Sequence, residues 1–332
     1  MDILTDAHWE EGAVSRSVAA PSLAAILYLL APTPATAQSS HGTIVGSLRD
    51  PSGASIPGAT ITIANIATNV KTTYITDATG DYYVPSLAPG HYRIEAEKSG
   101  FRKSTVNDVT LEVNQTLRVD IPMVLGTVAA AVEVSAGAQL VQTDSTTLGQ
   151  VIANRQVTEL PLNGRDFTNL LKLNVGVSDV QGGNAIGSSI RPHGLNDSYR
   201  MLSVNGARPA SISFLVDGVT SNDGLFQAPT AIPPIDAIQE FKIQNALYSA
   251  EFGMGAAQVN IAMKSGANAV HGALWDFLRN DALQPKNPRF HTKSPLKQNQ
   301  FGGTFGGPVF LPKLYHGKDR TFFFVSYQGG RR

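Results

Sequence analysis

Between residues 42 and 125, apolar side chains recur at every second position in short runs, and a Gly, Pro or Asp turn closes each run. In the run 59–64, Ile61 and Ile63 share a face; farther on, Tyr92, Ile94 and Ala96 share one while Arg93, Glu95 and Glu97 take the other. A period of two is the spacing of a half-buried strand and does not fit a helix of 3.6 residues per turn. Asp50-Pro51-Ser52-Gly53, Asp77-Ala78-Thr79-Gly80 and Ala88-Pro89-Gly90 supply the reversals. Seven or so strands at this spacing predict a small β-sandwich over 42–125.

The rest of the composition agrees. Of 332 residues only 16% are charged, 31 are Gly and 19 Pro, a turn-rich β profile. Twenty-six basic residues balance 26 acidic ones, so no overall field draws nucleic acid. With no Cys there is neither a disulfide framework nor a thiolate metal site. Residues 18–30 form an apolar run, and Ala35-Thr36-Ala37 fits the small-x-small pattern of signal-peptide cleavage, with Gln38 as the first mature residue. The run is shorter than the roughly 20 residues a membrane-spanning helix needs. A signal peptide over 1–37 is therefore expected. Asp2, Asp6, Glu10 and Glu11 depart from the positive flank of such signals and leave the position of the true start open.

Residues 126–149 are poor in aromatics and read as a linker. Within it, Val132-Glu133-Val134-Ser135 is an extended segment suited to adding to a partner's sheet; it reads equally as the last strand of the sandwich or the first strand of the 150–266 unit. In 150–266, residues 154–160 form a short helical segment ended by Pro161. Phe167, Leu170 and Leu171 at i, i+3 and i+4 predict a helix with Asp166 as its N-cap. Asn205-Gly206 and Asp217-Gly218 are tight-turn dipeptides bounding a candidate hairpin. Asp217 is read as a turn former in preference to a cation ligand. Residues 235–243 read as a short helix entering a strand, and 258–264 alternate strictly. Beyond Val270, Ala273, Trp275 and Phe277 share a face, Phe301 and Phe305 share another, and Phe322-Phe323-Phe324 opens a further aromatic run. Such alternation, with aromatics on one side, fits membrane-barrel strands.

Catalytic patterns are absent from the sequence: the seven His are scattered, and neither a His-Glu-x-x-His, a Gly-x-Ser-x-Gly nor a phosphate-binding Gly-Lys loop occurs. No enzyme, metal site or cofactor is expected.

Two resemblances order these pieces. Asp77-x-x-Gly80-x-Tyr82, Leu87-x-Pro89-Gly90-x-Tyr92-x-Ile94 and Gly100-Phe101 resemble the carboxypeptidase regulatory-like domain, a transthyretin-like sandwich without the peptidase zinc site. Glu159-Leu160-Pro161-Leu162-Asn163-Gly164-Arg165-Asp166-Phe167, then 203–224, then 235–243 and Tyr248-Ser249-Ala250-Glu251-Phe252-Gly253, resemble in that order the plug of TonB-dependent outer-membrane receptors, the Oar-like branch. Asn280-Asp281-Ala282-Leu283, 299–308 and 318–324 resemble the start of the Oar-like barrel. The resemblance implies a mainly β chain: a transthyretin-like β-sandwich (42–125), a linker with a possible TonB box at Val132–Ser135 (126–149), an α+β plug domain (150–266) and the first few strands of an outer-membrane β-barrel (267–332). It also implies TonB and outer-membrane lipid as partners, and a bulky ligand such as a siderophore or glycan. A barrel wide enough to hold a plug has about 22 strands, each of roughly 9–11 residues, whereas 62 residues follow Val270. A fragment of a receptor is thus expected, one that stays periplasmic or is degraded when it lacks its closed barrel. The competing expectation is a carbohydrate-binding or adhesion module in which Tyr82, Tyr83 or Tyr92 stacks on sugar.

Overall fold

The computed structural model describes residues 41–126, 132–135, 148–160, 162, 165–179, 202–208, 211–222, 229–230, 233–246, 248, 255–283, 285 and 295–331. The expected signal peptide, 1–37, lies outside these residues.

The alternating N-terminal runs become β1 (Gly42–Arg49), β2 (Thr60–Asn65), β3 (Lys71–Ile75), β4 (Asp81–Leu87), β5 (Gly90–Glu97), β6 (Ser104–Leu111), β7 (Thr116–Arg118) and β8 (Ile121–Pro122), with β9 (Val132–Ser135) added later in the chain. One sheet runs β4-β1-β7, with β8 also on β1; the other runs β3-β2-β5-β6-β9. The faces chosen by alternation meet in one core: Ile44, Ile61, Ile63, Tyr82, Tyr92 and Ile94 are all buried there. Asp77 Oδ1 accepts from the Thr79 and Asp81 amides at 2.9 Å and fixes the turn into β4. Gly46 lets β1 abut the segment just after β7, because a Cβ there would lie 1.9 Å from the Val119 carbonyl oxygen.

The central unit contains β10 (Leu148–Ala153), helix α1 (Asn154–Glu159), a 3-10 helix Phe167–Leu173, β11 (Val177–Asp179), β12 (Leu202–Val204), β13 (Ile212–Val216), β14 (Val219–Thr220), a 3-10 turn Ile235–Ala237, β15 (Ile238–Ala246) and β16 (Ala257–Met263). Its main sheet runs β10-β15-β16-β13-β14, with β13 and β16 parallel. The predicted helix after Asp166 forms in the tighter 3-10 geometry. Asp166 caps it as expected, Oδ1 accepting from the Thr168 amide at 2.9 Å and from its hydroxyl at 2.8 Å. That helix and α1 cover one face of the sheet. The Phe167 and Phe241 rings meet edge-to-face there, 5.6 Å apart, in a core shared with Ile152, Val157, Val259 and Ile261.

Farther on, β17 (His271–Asn280), β18 (Lys297–Pro308) and β21 (Phe322–Arg331) form an antiparallel sheet, and β19 (Phe310–Leu311) and β20 (Tyr315–His316) a small hairpin. Trp275 pairs with Gly302 and Phe277 with Gln300, while Phe305 pairs with Gly272 and Val325. Residues opposite each other in a ladder share a face, so the aromatics lie on both faces rather than on one. Leu274, Leu278, Phe305, Val325 and Tyr327 form a largely exposed apolar surface. The glycines of 302–307 are explained by close approach: a Cβ on Gly302 would lie 2.5 Å from the Trp275 ring.

Candidate functional site

The two turn dipeptides adopt the geometry their residues favour. Asn205 (φ 52°) and Gly206 (φ 73°), like Asp217 (φ 47°) and Gly218 (φ 83°), both sit in the left-handed region that type I′ turns require. They do not bound one hairpin. Asn205-Gly206 follows β12, which pairs with β11, whereas Asp217-Gly218 joins β13 to β14 in the main sheet. The side chains then act as clips. Asn205 Nδ2 donates to the Asn245 carbonyl at 2.8 Å, and Asp217 Oδ1 accepts from the Met263 amide at 2.9 Å. Asp217 is thus engaged with backbone. Among the described residues no group of three or more acidic or His side chains is placed to hold a metal.

Val132, Glu133, Val134 and Ser135 form β9, laid parallel to β6 with Val132 opposite Ser104 and Ser135 opposite Asn107. This placement matches the second reading of the segment, a last strand of the sandwich. β9 closes the sheet at one edge, and among the described residues no strand pairs with its outer side.

Two seams join the central unit to its neighbours, and the sequence predicted neither. At the first, Arg165 reaches from the loop before the 3-10 helix to the face of β17 that carries Trp275 and Phe277. Its guanidinium carbon lies 4.2 Å from the Phe277 ring centroid and 5.7 Å from that of Trp275. The Arg165 Nη2 is ion-paired with Asp236, which stands on the 3-10 turn leading into β15, and both side chains are largely buried.

At the second seam the face of β15 opposite its apolar core meets the sandwich. Gln239 Nε2 donates to the Pro89 carbonyl at 3.1 Å, Glu240 Oε1 accepts from the Val113 amide at 2.5 Å, and Lys242 Nζ donates to the Asn114 carbonyl at 3.2 Å. Burial pushes the Glu240 carboxyl up to about 7, with the Glu112 charge adding to it and the Val113 amide, Lys242 and His91 opposing. Burial likewise lowers the Lys242 ammonium, against the pull of Glu112 and Glu240. The polar layer continues into Gln244, Gln258 and Asn260, all buried, with Asn260 Nδ2 donating to Gln244 Oε1 at 3.0 Å. Asn268 ties the sandwich in again: its amide donates to the Ala67 carbonyl at 3.0 Å and its Nδ2 to the Thr68 carbonyl at 2.8 Å. Its Oδ1 accepts from the Asp319 amide at 2.8 Å.

The stacking tyrosines expected of a sugar-binding surface are mostly internal. Tyr82 and Tyr92 are each 4% exposed, their hydroxyls donating to the Val119 and Ala88 carbonyls, and only Tyr83 stands in solvent. Alternation turned Tyr82 and Tyr92 toward the core.

Comparison with known proteins agrees with this layout. Residues 43–124 match the carboxypeptidase regulatory-like domain, and residues 262–332 match an outer membrane beta barrel domain. The TonB-dependent transporter Oar of Myxococcus xanthus is 27% identical over 322 residues, covering 91% of this chain and 28% of the transporter; the chain therefore spans under a third of that relative's length. Among solved structures, the siderophore receptor PirA of Acinetobacter baumannii aligns at 20% identity over 49% of this chain and 23% of its own, with a TM-score of 0.35. Catechol 1,2-dioxygenase from Acinetobacter aligns at 13% identity over 31% of this chain and 60% of its own, with a TM-score of 0.23. Mainly β in its described residues, the chain is similar in sequence to the TonB-dependent transporter Oar and carries a match to a carboxypeptidase regulatory-like domain followed by a match to an outer membrane beta barrel domain.

Proposed function

We propose that this polypeptide works in a TonB-dependent receptor for a bulky substrate of siderophore or glycan type, its central unit plugging the lumen of a barrel to which β17, β18 and β21 contribute wall. The observation that carries the reading is the first seam. The central unit holds Arg165 against one face of a sheet whose other face is apolar and exposed, the arrangement of a polar stopper inside a lipid-facing wall. β9 is the contact for TonB, because an edge strand with one open side accepts a partner strand through main-chain hydrogen bonds. Pulling on it transmits force along the linker to β10 and the plug sheet.

The test is binding of the periplasmic domain of TonB to the full chain, measured by titration calorimetry, with and without residues 132–135. Binding that disappears with the deletion supports the assignment. Equal binding by both proteins, or none by either, would remove it.

A further inference from the structure

We propose that Arg165 is the positioning residue that clasps the plug to the barrel wall, and that it does so through aromatic faces so that the clasp can open without stranding a charge. The inference rests on the plug reading above. Arg165 has φ 52°, a left-handed backbone that L-residues rarely adopt. That backbone turns its side chain out of the unit and onto β17. There the guanidinium stands 4.2 Å from the Phe277 ring centroid, with Trp275 beside it. Its counter-ion, Asp236, is on the plug and not on the wall. Arg165 Nε and the Trp275 indole nitrogen are buried with no hydrogen-bond partner among the described residues, so the π faces are what the wall offers this cation.

The distribution of charge sets what parting would require. A clasp made of a plug Arg and a wall carboxylate would, on opening, leave two unpaired ions in a poorly solvated lumen, which is strongly unfavourable. Here Arg165 departs with Asp236 as a neutral pair, and the wall is left with uncharged rings. Arg165 is largely buried while Phe277 stays 47% exposed, and a cation–π contact at such a half-open site is strong enough to seat the plug and weak enough to be pulled apart.

A double-substitution cycle on the full 332-residue chain in detergent micelles tests this, with amide hydrogen exchange over residues 165–173 as the readout. Arg165→Gln should speed exchange there by roughly threefold to thirtyfold, the range a cation–π contact supplies. The same change in a Phe277→Leu background should add little. Arg165→Lys, which keeps the charge, and Phe277→Tyr, which keeps a ring, should each retain most of the protection and guard against a mere folding defect. Additive effects of Arg165→Gln and Phe277→Leu, or equal loss in the two conservative variants, would overturn the clasp. The two proposals fail separately: loss of TonB binding leaves this cycle unchanged, and an additive cycle leaves TonB binding unchanged.

Discussion

Glu240 makes the seam between the central unit and the sandwich sensitive to pH, and the direction comes from its surroundings. Its carboxyl moves from an ordinary 4.5 to about 7 when the seam is closed, chiefly through burial and then through the Glu112 charge, with Val113, Lys242 and His91 opposing. His91 Nδ1 lies 2.7 Å from Asp108 Oδ1. The closed form therefore holds the proton more tightly than the open one. Closure is fully favoured below about 4.5, weakens as pH climbs through about 7, and changes no further above that. At 1.36 kcal/mol for each pKa unit, the displacement corresponds to about 3 kcal/mol, or on the order of a hundredfold in the closing equilibrium. Burial lowers the Lys242 ammonium below its ordinary 10.5, so its contribution to closure rises with pH up to that value. The assay is amide exchange at residues 112–115 and 239–244 from pH 4.5 to 8, after division by the intrinsic rate at each pH. Excess exchange should rise toward pH 7 and then level. Glu240→Gln retains an acceptor for the Val113 amide without a titrating group, so its excess should be flat. A flat profile in the unsubstituted protein, or the same rise in Glu240→Gln, would refute the reasoning.

Three further outcomes concern the sandwich. Gly46→Ala places a methyl 1.9 Å from the Val119 carbonyl oxygen; forcing β1 off its neighbour should cost about 1–3 kcal/mol, seen as a lower urea midpoint, and an unchanged midpoint would contradict the close approach. Tyr82→Phe removes the hydroxyl that donates to Val119 and should cost about 1–3 kcal/mol, since a buried carbonyl loses its donor. Tyr83→Ser, at a side chain 63% exposed, should change stability by no more than about 0.5 kcal/mol.

Where burial has one partner, the residues announce it. Ile61, Ile63 and Ile94 face the core that their alternation selects, and Asp166 caps the segment it precedes. The candidate turn residues adopt the positive φ that Asn-Gly and Asp-Gly favour, yet their assignment to one hairpin fails. Register between distant strands depends on which sheet each joins, and β13 found its partner in β16, some 45 residues on. A polar face is ambiguous in a different way. Glu240, Lys242 and Gln244 alternate with Phe241 and Ile243 as they would on a solvated strand, but the sandwich covers them. Nothing in their identity distinguishes a neighbouring domain's carbonyls from water. The same holds for Trp275 and Phe277, whose rings suit lipid as well as they suit the cation that approaches them.

That ambiguity bears on how firmly the central unit is held. The stretch from Asp236 to Lys242 serves both seams: Asp236 holds Arg165 toward β17, and Gln239, Glu240 and Lys242 hold the sandwich. Its other face, through Phe241 and Ile243, lies in the central unit's apolar core. Opening the seam with the sandwich exchanges hydrogen bonds to protein for hydrogen bonds to water, a net change of only about 0.5–1.5 kcal/mol for each, and opening the other releases a cation–π contact of about 0.5–2 kcal/mol. Exposing Phe241 alone would forfeit about 1.5–3 kcal/mol of burial. Force delivered to this stretch therefore meets its weakest resistance at the seams, and the unit parts from its neighbours before it parts from itself.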